Sequence, residues 1–265
     1  MFRTNLRKLA GNFGYDIVKT ENFEFGKRFK KYSSDPDLDY YETSVGNYFL
    51  PKDCNGDNVA NTIKRGLVFD EAIYDEAIRY IRPNSTILDV GANFGQMSIE
   101  FSNAAPNVEV HAFEAQARVF DVLQKNISAN KVTNVQTYYN AVYYCDGLDM
   151  FFPEADLRRF SSFGSYGLDL QAKTGKPVRS ITIDSLDFAL PVSFMKIDIQ
   201  GSDLAAMRGA VKTIQKYQMP IIFEYEEEFQ ADFNTCFQDY LDFVNSIGYR
   251  FIKTIQDINF LILPR

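Results

Sequence analysis

The chain has 265 residues, which suits one large domain or one domain with an extension. Apolar residues make up 46% of the total and can form a substantial core. No apolar run reaches the roughly eighteen residues of a membrane-spanning helix, and the net charge of −7 argues against general nucleic-acid binding. Three widely spaced cysteines form neither a metal motif nor a disulfide framework, which is typical of a reducing cytoplasm.

We predict an N-terminal extension over residues 1–65 and a main domain over residues 66–265. The first 31 residues contain eight basic and three acidic groups, a net charge of +5. Apolar residues recur there at helical spacing, at Phe2, Leu6, Leu9 and Phe13. The sequence leaves three roles open for such a helix: peripheral contact with the inner face of a membrane, docking on the main domain, or contact with a second copy. No secretory signal is recognisable, so a cytoplasmic location is expected.

Strand and helix patterns alternate through the main domain, which predicts a parallel sheet with helices on both faces. An amphipathic segment at 66–82 comes first and is ended by Pro83. The predicted strands lie near 86–90, 108–113, 135–144, 194–199 and 220–225. The predicted helices lie near 95–104, 116–130, 202–217 and 229–247.

The stretch TILDVGANFG, residues 86–95, predicts a glycine-rich turn between a strand and a helix. Gly91 and Gly95 permit a ligand to approach the backbone closely, because they carry no Cβ. The next strand ends at Glu114, an acid that suits the two hydroxyls of a ribose. Together these residues predict a nucleoside-binding crevice at the carboxyl edge of the sheet. The alternative is a turn that serves only sheet–helix packing.

The spacing of the glycines indicates which class of cofactor the crevice binds. Dinucleotide sites read G-x-G-x-x-G, whereas three residues separate Gly91 from Gly95 here, and Asn93 is one of them. Asp89 before the first glycine would repel a pyrophosphate but attract the amino group of S-adenosylmethionine. We therefore predict S-adenosylmethionine rather than NAD.

Residues 146–180 interrupt the alternation with a long connection rich in aromatic residues, arginine, serine and glycine. A connection of this length in a compact domain is usually functional. It leaves the sheet on the cofactor side, so we expect it to line the acceptor pocket, although a surface loop without a fixed role is the alternative. The candidate substrate-binding residues are Phe152, Arg158, Arg159, Ser161, Ser162 and Tyr166.

A second group of candidate catalytic residues lies in SFMKIDIQGSD, residues 193–203. Lys196 and Asp198 interrupt an apolar strand and have the same parity, so their side chains share a face. Asp198 is placed to orient or deprotonate an acceptor hydroxyl, and Lys196 to lower its pKa or steady a developing alkoxide. The alternative is a pair that only fixes the strand end.

Glu224 ends the next strand and is predicted to face Asp198. Two converging acids leave a divalent metal, a general base and a hydrogen-bonding role open, and we predict no metal ligand set. The single histidine, His111, alternates within its strand as a core residue does.

The chain ends in two strand-like runs, YRFIKTI and NFLILP, that are close enough to pair as a hairpin. The last strand then runs antiparallel within an otherwise parallel sheet. A seven-stranded, mostly parallel sheet with a C-terminal antiparallel hairpin is the layout of Rossmann-like class I methyltransferases.

Over residues 65–230 the chain resembles the FkbM family of S-adenosylmethionine-dependent methyltransferases. The resemblance lies in ILDVGANFG, VHAFEA, the N-x-x-x-N run from Asn126 to Asn130, ITIDSLD, MKIDIQGSD and PIIFEYE, in that order. It implies a Rossmann-like fold and methyl transfer, usually to an oxygen. The implied cofactor-binding residues are Asp89, Gly91, Ala92, Asn93, Gly95, Glu114, Ala115 and Ala141. The implied reaction centre contains Lys196, Asp198 and Glu224.

Three positions depart from the family pattern. Ala115 replaces a usual proline, and Gln200 and Asp203 replace two usual glutamates. Gln200 keeps the shape of the usual side chain but loses its charge, which brings activity into question if that glutamate is catalytic.

We predict an O-methyltransferase that acts on a hydroxyl, most simply that of a sugar in a glycan or a lipid-linked glycan precursor. Three alternatives stay open: methylation of a small secondary metabolite, an NAD-dependent oxidoreductase, and a non-catalytic cofactor-binding module.

Overall fold

The computed structural model of this chain describes residues 35–153, 162–170 and 174–265. The strands within these ranges are β1 (Leu38–Thr43), β2 (Gly46–Pro51), β3 (Ser85–Val90), β4 (Val108–Glu114), β5 (Val135–Tyr139), β6 (Ala141–Val142), β7 (Asp149–Phe152), β8 (Lys176–Ile181), β9 (Val192–Ile197), β10 (Ile221–Glu224), β11 (Tyr249–Ile255) and β12 (Asn259–Pro264). The α-helices are α1 (Asn58–Lys64), α2 (Glu71–Ala77), α3 (Gln96–Ser102), α4 (Ala117–Ala129), α5 (Asp203–Arg208), α6 (Val211–Tyr217), α7 (Glu227–Phe233) and α8 (Phe237–Ser246).

The described strands form one sheet of seven in the order β11-β12-β10-β9-β3-β4-β5. Strands β5, β4, β3, β9 and β10 pair in parallel, and β12 lies antiparallel between β10 and β11. The predicted fold class and its C-terminal antiparallel hairpin are therefore confirmed. Strands β1 and β2 form a separate hairpin, and β6, β8 and β7 form a small third sheet.

The central strands are buried along their whole length, as the continuous apolar runs of a parallel sheet require. Every residue of β3 and of β9 is buried. The crossover helices lie between successive parallel strands, so the carboxyl ends of β3, β4, β9 and β10 meet at one edge of the sheet. The acids predicted at strand ends, Glu114, Asp198 and Glu224, lie at this edge.

Two long predicted helices are each divided in the structure. The segment 202–217 forms α5 and α6, which are separated at Gly209, where a Cβ atom would lie 2.0 Å from the carbonyl oxygen of Tyr143. The segment 229–247 forms α7 and α8, and Asn234 ends α7 in a left-handed conformation with φ 51°. Tertiary contact and a left-handed residue interrupt a helical pattern that is continuous in the sequence.

The described part of the predicted extension packs on the main domain. Two asparagines of α4 hold the β1–β2 hairpin: Asn126 Oδ1 accepts from the Phe49 N–H at 2.6 Å, and Asn130 bonds both backbone groups of Asn47. Asn126 Nδ2 also donates to the Phe94 carbonyl at 2.8 Å. The N-x-x-x-N run is thus a clamp for strand β2.

The division at residue 65 stays a prediction, and the predicted basic helix within residues 1–31 lies outside the described residues. Among the helices that the structure describes, none combines the length and apolar character needed to cross a membrane.

Replacing Asn126 by alanine should lower the free energy of unfolding by about 2 to 4 kcal/mol, because the partly buried Phe49 N–H and the buried Phe94 carbonyl lose their partner. Urea denaturation measures this change. Asn61→Ala is the control: its side chain donates one exposed bond to Asn55, and its removal should change stability by only about 0.5 kcal/mol. Equal effects of the two substitutions would contradict the assigned clamp.

Candidate active site

The turn after β3 touches the turn after β9. Gly91 has φ 85°, and a Cβ atom at this position would lie 1.9 Å from the carbonyl oxygen of Asp198. The N–H groups of Gly91 and Ala92 both donate to the carbonyl of Phe113, at 3.0 and 2.9 Å. Only glycine fits between the two turns in this conformation.

A cavity opens beside this contact at the carboxyl edge of the sheet, as the sequence predicts for a ligand crevice. Most of the predicted site residues within the described ranges line it. Its walls include Gly91, Ala92, Asn93, Glu114, Ala115, Ala141, Phe152, Ser162, Tyr166, Lys196, Asp198 and Glu224. Asp89 and Gly95 are not among the lining residues, and Arg158, Arg159 and Ser161 lie outside the described residues.

Glu114 ties the ends of β3 and β4 together. Its Oε2 accepts from the Asn93 N–H at 2.9 Å, and its Oε1 accepts from the Gln116 N–H at 2.8 Å. Burial raises the pKa of Glu114 to about 7, although these backbone donors oppose the shift. Each carboxylate oxygen keeps a second lone pair. The side chain can therefore accept from a ribose hydroxyl while it holds the Asn93 turn.

Asp89 lies behind the cavity wall and has no exposed surface. One of its oxygens accepts from the Ser98 hydroxyl at 2.5 Å, and the other lies 3.9 Å from the Lys196 ammonium. Burial raises the pKa of Asp89, an effect that Lys196 and Ser98 oppose. Its direct contact with a cofactor stays a prediction, and the structure places it as a neighbour of Lys196.

Gly95 begins helix α3 with φ 86°, and a Cβ atom there would lie 2.5 Å from a methyl group of Leu123. Its role in this structure is the packing of α3 against α4. Its assignment to cofactor binding stays a prediction.

Four polar side chains form a connected network, which we call the Lys196–Glu224 network. The Lys196 ammonium lies 3.2 Å from Asp198 Oδ2. The side-chain amide of Gln200 donates to Asp198 Oδ1 at 3.3 Å and to Glu224 Oε2 at 2.7 Å. The predicted convergence of Lys196, Asp198 and Glu224 is therefore present in the structure.

The two acids of this network have opposite protonation states near neutral pH. Burial, and then the charges of Asp198 and Asp203, raise the pKa of Glu224 to about 11, so Glu224 is a neutral acid. Burial alone would also raise the pKa of Asp198, but Lys196 and hydrogen bonds from Glu224 and Gln200 hold it below its usual range. Asp198 is therefore the ionised member.

Lys196 stays charged although it is only 4% exposed. Burial lowers the pKa of Lys196, but three nearby carboxylates reverse the shift and raise it well above the usual range. Those carboxylates belong to Asp198, Asp89 and Asp70. The lysine is a fixed positive charge in this site, not a proton donor.

Gln200 connects the acids where the family resemblance implies a glutamate. It has φ 51°, and its amide reaches both Asp198 and Glu224. A glutamate here would add a third carboxyl group to a buried pair, whereas the amide donates to both members. Glutamine at position 200 therefore preserves the hydrogen bonds of the Lys196–Glu224 network, although the family pattern has glutamate there.

Two acids near the cavity were not predicted from the sequence. Asp70 lines it directly. Asp57 is fully buried, caps helix α1, and accepts from the Ser162 hydroxyl at 2.9 Å and the Phe163 N–H at 2.8 Å. These bonds fix the start of the 162–170 segment against the N-terminal elements. No local pattern could have revealed them, since the partners lie 105 and 106 residues apart.

His111 lies in the core as its strand alternation predicts. Its Nδ1 lies 2.8 Å from the Tyr138 hydroxyl, and burial lowers the pKa of the ring to about 4. Within the described ranges, no group of three or more His, Cys, Asp or Glu side chains is arranged to hold a metal ion.

The cavity has the charge that a cationic nucleoside requires. Lys196 is the one basic side chain among its described lining residues, against five acids, of which Glu224 is neutral: Asp70, Glu114, Asp198, Glu224 and Glu226. A pyrophosphate would meet net repulsion here, whereas a sulfonium and an ammonium group would be attracted. The Gly91 turn also gives the close backbone approach that such a ligand needs. The residues present therefore fit S-adenosylmethionine.

The comparison with protein families agrees with this geometry. Residues 89–251 match the model of the methyltransferase FkbM domain, which covers more than half of the chain. The protein belongs to the FkbM methyltransferase family. The matched family model is that of a methyltransferase domain, and the residues of the cavity fit S-adenosylmethionine as the methyl donor.

Several solved structures are similar to this chain, and no curated protein sequence matches it. The methyltransferase FkbM of Methylobacillus flagellatus KT is 15% identical with a TM-score of 0.45, and the match covers 71% of this chain and 50% of that one. This chain thus spans half the length of that relative. A TehB-like SAM-dependent methyltransferase of Corynebacterium glutamicum is 12% identical with a TM-score of 0.42, over 77% and 91% of the two chains. TYW2 of M. jannaschii in complex with AdoMet is 12% identical with a TM-score of 0.38, over 88% and 87%.

Gly91→Ala should destabilise the protein by at least about 3 kcal/mol, because it adds a steric clash to a left-handed backbone. Gly248→Ala is the matched control: Gly248 has φ 77°, but nothing lies within 4 Å of the position of a Cβ atom. It should cost only about 1 to 2 kcal/mol. Denaturation of both variants separates the cost of the steric clash from the cost of the left-handed backbone. Equal losses of stability would show that the contact with Asp198 is not tight.

Glu224→Gln tests the neutral state of Glu224. The folded-state pKa of about 11 lies above the ordinary 4.5, so folding takes up a proton. This group therefore makes the wild type less stable as the pH rises from 4.5 towards 11, by up to about 1.4 kcal/mol per pH unit. Glutamine does not titrate, so the variant should gain stability relative to the wild type as the pH rises. Urea denaturation between about pH 6 and about pH 9 measures this difference.

Glu228→Gln provides the control, because it makes the same chemical change at an exposed side chain just after the same strand. The difference in the free energy of unfolding between this variant and the wild type should not vary with pH. A flat difference for Glu224→Gln as well would mean that Glu224 is ionised in the folded protein.

Proposed function

We propose that the protein is an O-methyltransferase whose acceptor is a hydroxyl group. The observation that carries the proposal is the ionised Asp198 on the cavity wall, held between a lysine ammonium and a neutral glutamic acid. A fixed carboxylate of this kind accepts a hydrogen bond from a hydroxyl and can then take its proton. An ammonium acceptor would instead need to lose a proton before it could react.

The residues that would hold the methyl donor are those of the two turns after β3 and β4. Glu114 would accept from the ribose, and the backbone of Gly91, Ala92 and Asn93 would lie against the cofactor. Ala115 and Ala141 would contact it from the β4 and β6 side of the cavity. When bound, S-adenosylmethionine supplies an electrophilic methyl group.

In the proposed reaction Asp198 orients the acceptor hydroxyl and takes its proton. A low pKa makes Asp198 a weak base before transfer, but an oxygen that receives a methyl group becomes strongly acidic, so a weak base suffices. Lys196 keeps Asp198 ionised at 3.2 Å, and Glu224 donates to it as a neutral acid. Orientation of the hydroxyl supplies most of the rate enhancement in this scheme.

A sugar hydroxyl of a glycan or of its lipid-linked precursor is the acceptor we favour. The support is the family resemblance together with the net charge of +5 in the first 31 residues, which suits a substrate held at an anionic membrane surface. Ser162 and Tyr166 line the cavity and offer polar contacts, and Arg158 and Arg159 stay predicted contacts. A small secondary metabolite is the second candidate acceptor.

The same basic segment supports two further proposals, peripheral contact with the inner face of a membrane and contact with a second copy in a homo-oligomer. Family membership favours methyl transfer over an NAD-dependent oxidoreductase. The non-catalytic alternative had Gln200 as its support, and that amide instead completes the network around Asp198.

Asp198→Asn should lower kcat by about 10²- to 10⁴-fold, because the hydroxyl loses its proton acceptor. Release of S-adenosylhomocysteine in the presence of sugars, other alcohols and amines measures the rate and the acceptor class. Calorimetric titration with S-adenosylhomocysteine should show that the variant still binds the cofactor product.

The control is Asp121→Asn, the same change at an exposed position of helix α4, which should leave kcat unchanged. Transfer only to amines, or full activity of Asp198→Asn on hydroxyl acceptors, would contradict the proposal.

A further inference from the structure

Asp70 lines the cavity with an unusual backbone. It stands directly before helix α2 with φ 55° and ψ 39°, a left-handed conformation that is uncommon outside glycine, asparagine and aspartate. Its carbonyl accepts from the N–H groups of Ile73 and Tyr74, but its side chain makes no bond to the helix. The conformation thus directs the carboxyl group away from the cap position that an aspartate usually occupies.

The Asp70 carboxylate has no hydrogen-bond partner among the residues that the structure describes, although it faces a partly enclosed cavity. Burial and the charge of Asp198 both oppose its ionisation and raise its pKa to about 6. Partial burial makes the ionised carboxylate less favourable here than in open solvent unless a positive charge compensates it. A bound cation at this point of the cavity would do so.

Lys196 is not available as that partner. Its ammonium lies 3.2 Å from Asp198 and 3.9 Å from Asp89, and Asp70 interacts with it only through a longer-range charge effect. No other basic side chain appears among the described lining residues. Among the described residues, no cation is therefore placed to pair with Asp70, and a cationic group of the ligand would supply one.

The methyl donor carries two positive groups, a sulfonium and an α-ammonium. Asp89 is the ammonium partner predicted from the sequence, but it is fully buried and contacts Ser98 and Lys196. Glu114 would hold the ribose at the β4 side of the crevice. Asp70 lines the same cavity and is near enough to Asp198 for the two charges to interact, so a ligand that spans the cavity can reach it.

We propose that Asp70 binds the α-ammonium group of S-adenosylmethionine and so fixes the amino-acid end of the methyl donor. The proposal rests on the proposed function, since it requires that this cavity take the adenosyl ligand. In this proposal Asp70 recognises the methyl donor, whereas Asp198 takes the proton from the acceptor hydroxyl.

The test is a thermodynamic double cycle that combines a change at the Asp70 side chain with the removal of the α-amino group from the ligand. Calorimetric titration measures the dissociation constant of each pair. The ligands are S-adenosylhomocysteine and its analogue that lacks the α-amino group. Asp70→Asn keeps the shape of the side chain and tolerates the left-handed backbone. It should weaken S-adenosylhomocysteine binding by about 10- to 100-fold and leave binding of the desamino analogue unchanged, because a charge-assisted hydrogen bond is lost only with the first ligand.

Two further variants make the result specific. Asp75→Asn makes the same change at an exposed position of helix α2 and should bind both ligands as the wild type does. Asp70→Gly removes the carboxylate, is free of strain at φ 55°, and should reproduce the loss for S-adenosylhomocysteine. The thermal unfolding of each variant without ligand shows that it is folded.

The outcomes separate this inference from the proposed function. If the wild type binds S-adenosylhomocysteine and Asp70→Asn binds it equally well, or loses both ligands to the same extent, then Asp70 does not pair with the ammonium while the methyltransferase assignment stands. If the wild type binds neither ligand, the proposed cofactor site is wrong and the role of Asp70 is wrong with it.

Discussion

The close approach of two turns, one after β3 and one after β9, is the constraint on which the site depends. The Asp198 N–H donates to the Val90 carbonyl at 3.0 Å, and the Asp198 carbonyl occupies the space that a side chain at position 91 would need. The two strands are neighbours in the sheet, so this contact sets where both loops leave it. It brings the crevice formed by Gly91 and Glu114 next to the carboxylate of Asp198.

The second constraint is the charge balance in a buried region. One lysine lies among several acids, and the structure accommodates them by keeping Glu224 neutral and Asp198 ionised. Gln200 donates to both acids, so each has a hydrogen-bond partner within the protein. The arrangement leaves one carboxylate, with a low pKa and a fixed orientation, facing the cavity. That is the property a hydroxyl acceptor requires.

The elements outside the sheet close the cavity from the other side. Asp57 links helix α1 to the 162–170 segment, and Asn126 and Asn130 hold the β1–β2 hairpin on helix α4. Gly167 lies so close to Gln200 that a Cβ atom there would be 2.7 Å from its carbonyl oxygen. The 162–170 segment is therefore packed against both the N-terminal elements and the Lys196–Glu224 network.

Four features could be predicted from the sequence: the sheet, its terminal hairpin, the crevice at Gly91 and Glu114, and the convergence of Lys196, Asp198 and Glu224. These follow from local patterns, because apolar runs, turn glycines and acids at strand ends act through their immediate neighbours and the parallel topology. The tertiary structure was needed to show that Asp89 does not line the cavity, that Gln200 bridges two acids, and that Glu224 is neutral. It was also needed to show that Asp70 lines the cavity and that Asp57 holds the 162–170 segment. Each of these depends on burial or on partners distant in the chain, and neither a pKa nor a hydrogen bond across more than a hundred residues is encoded in any single segment.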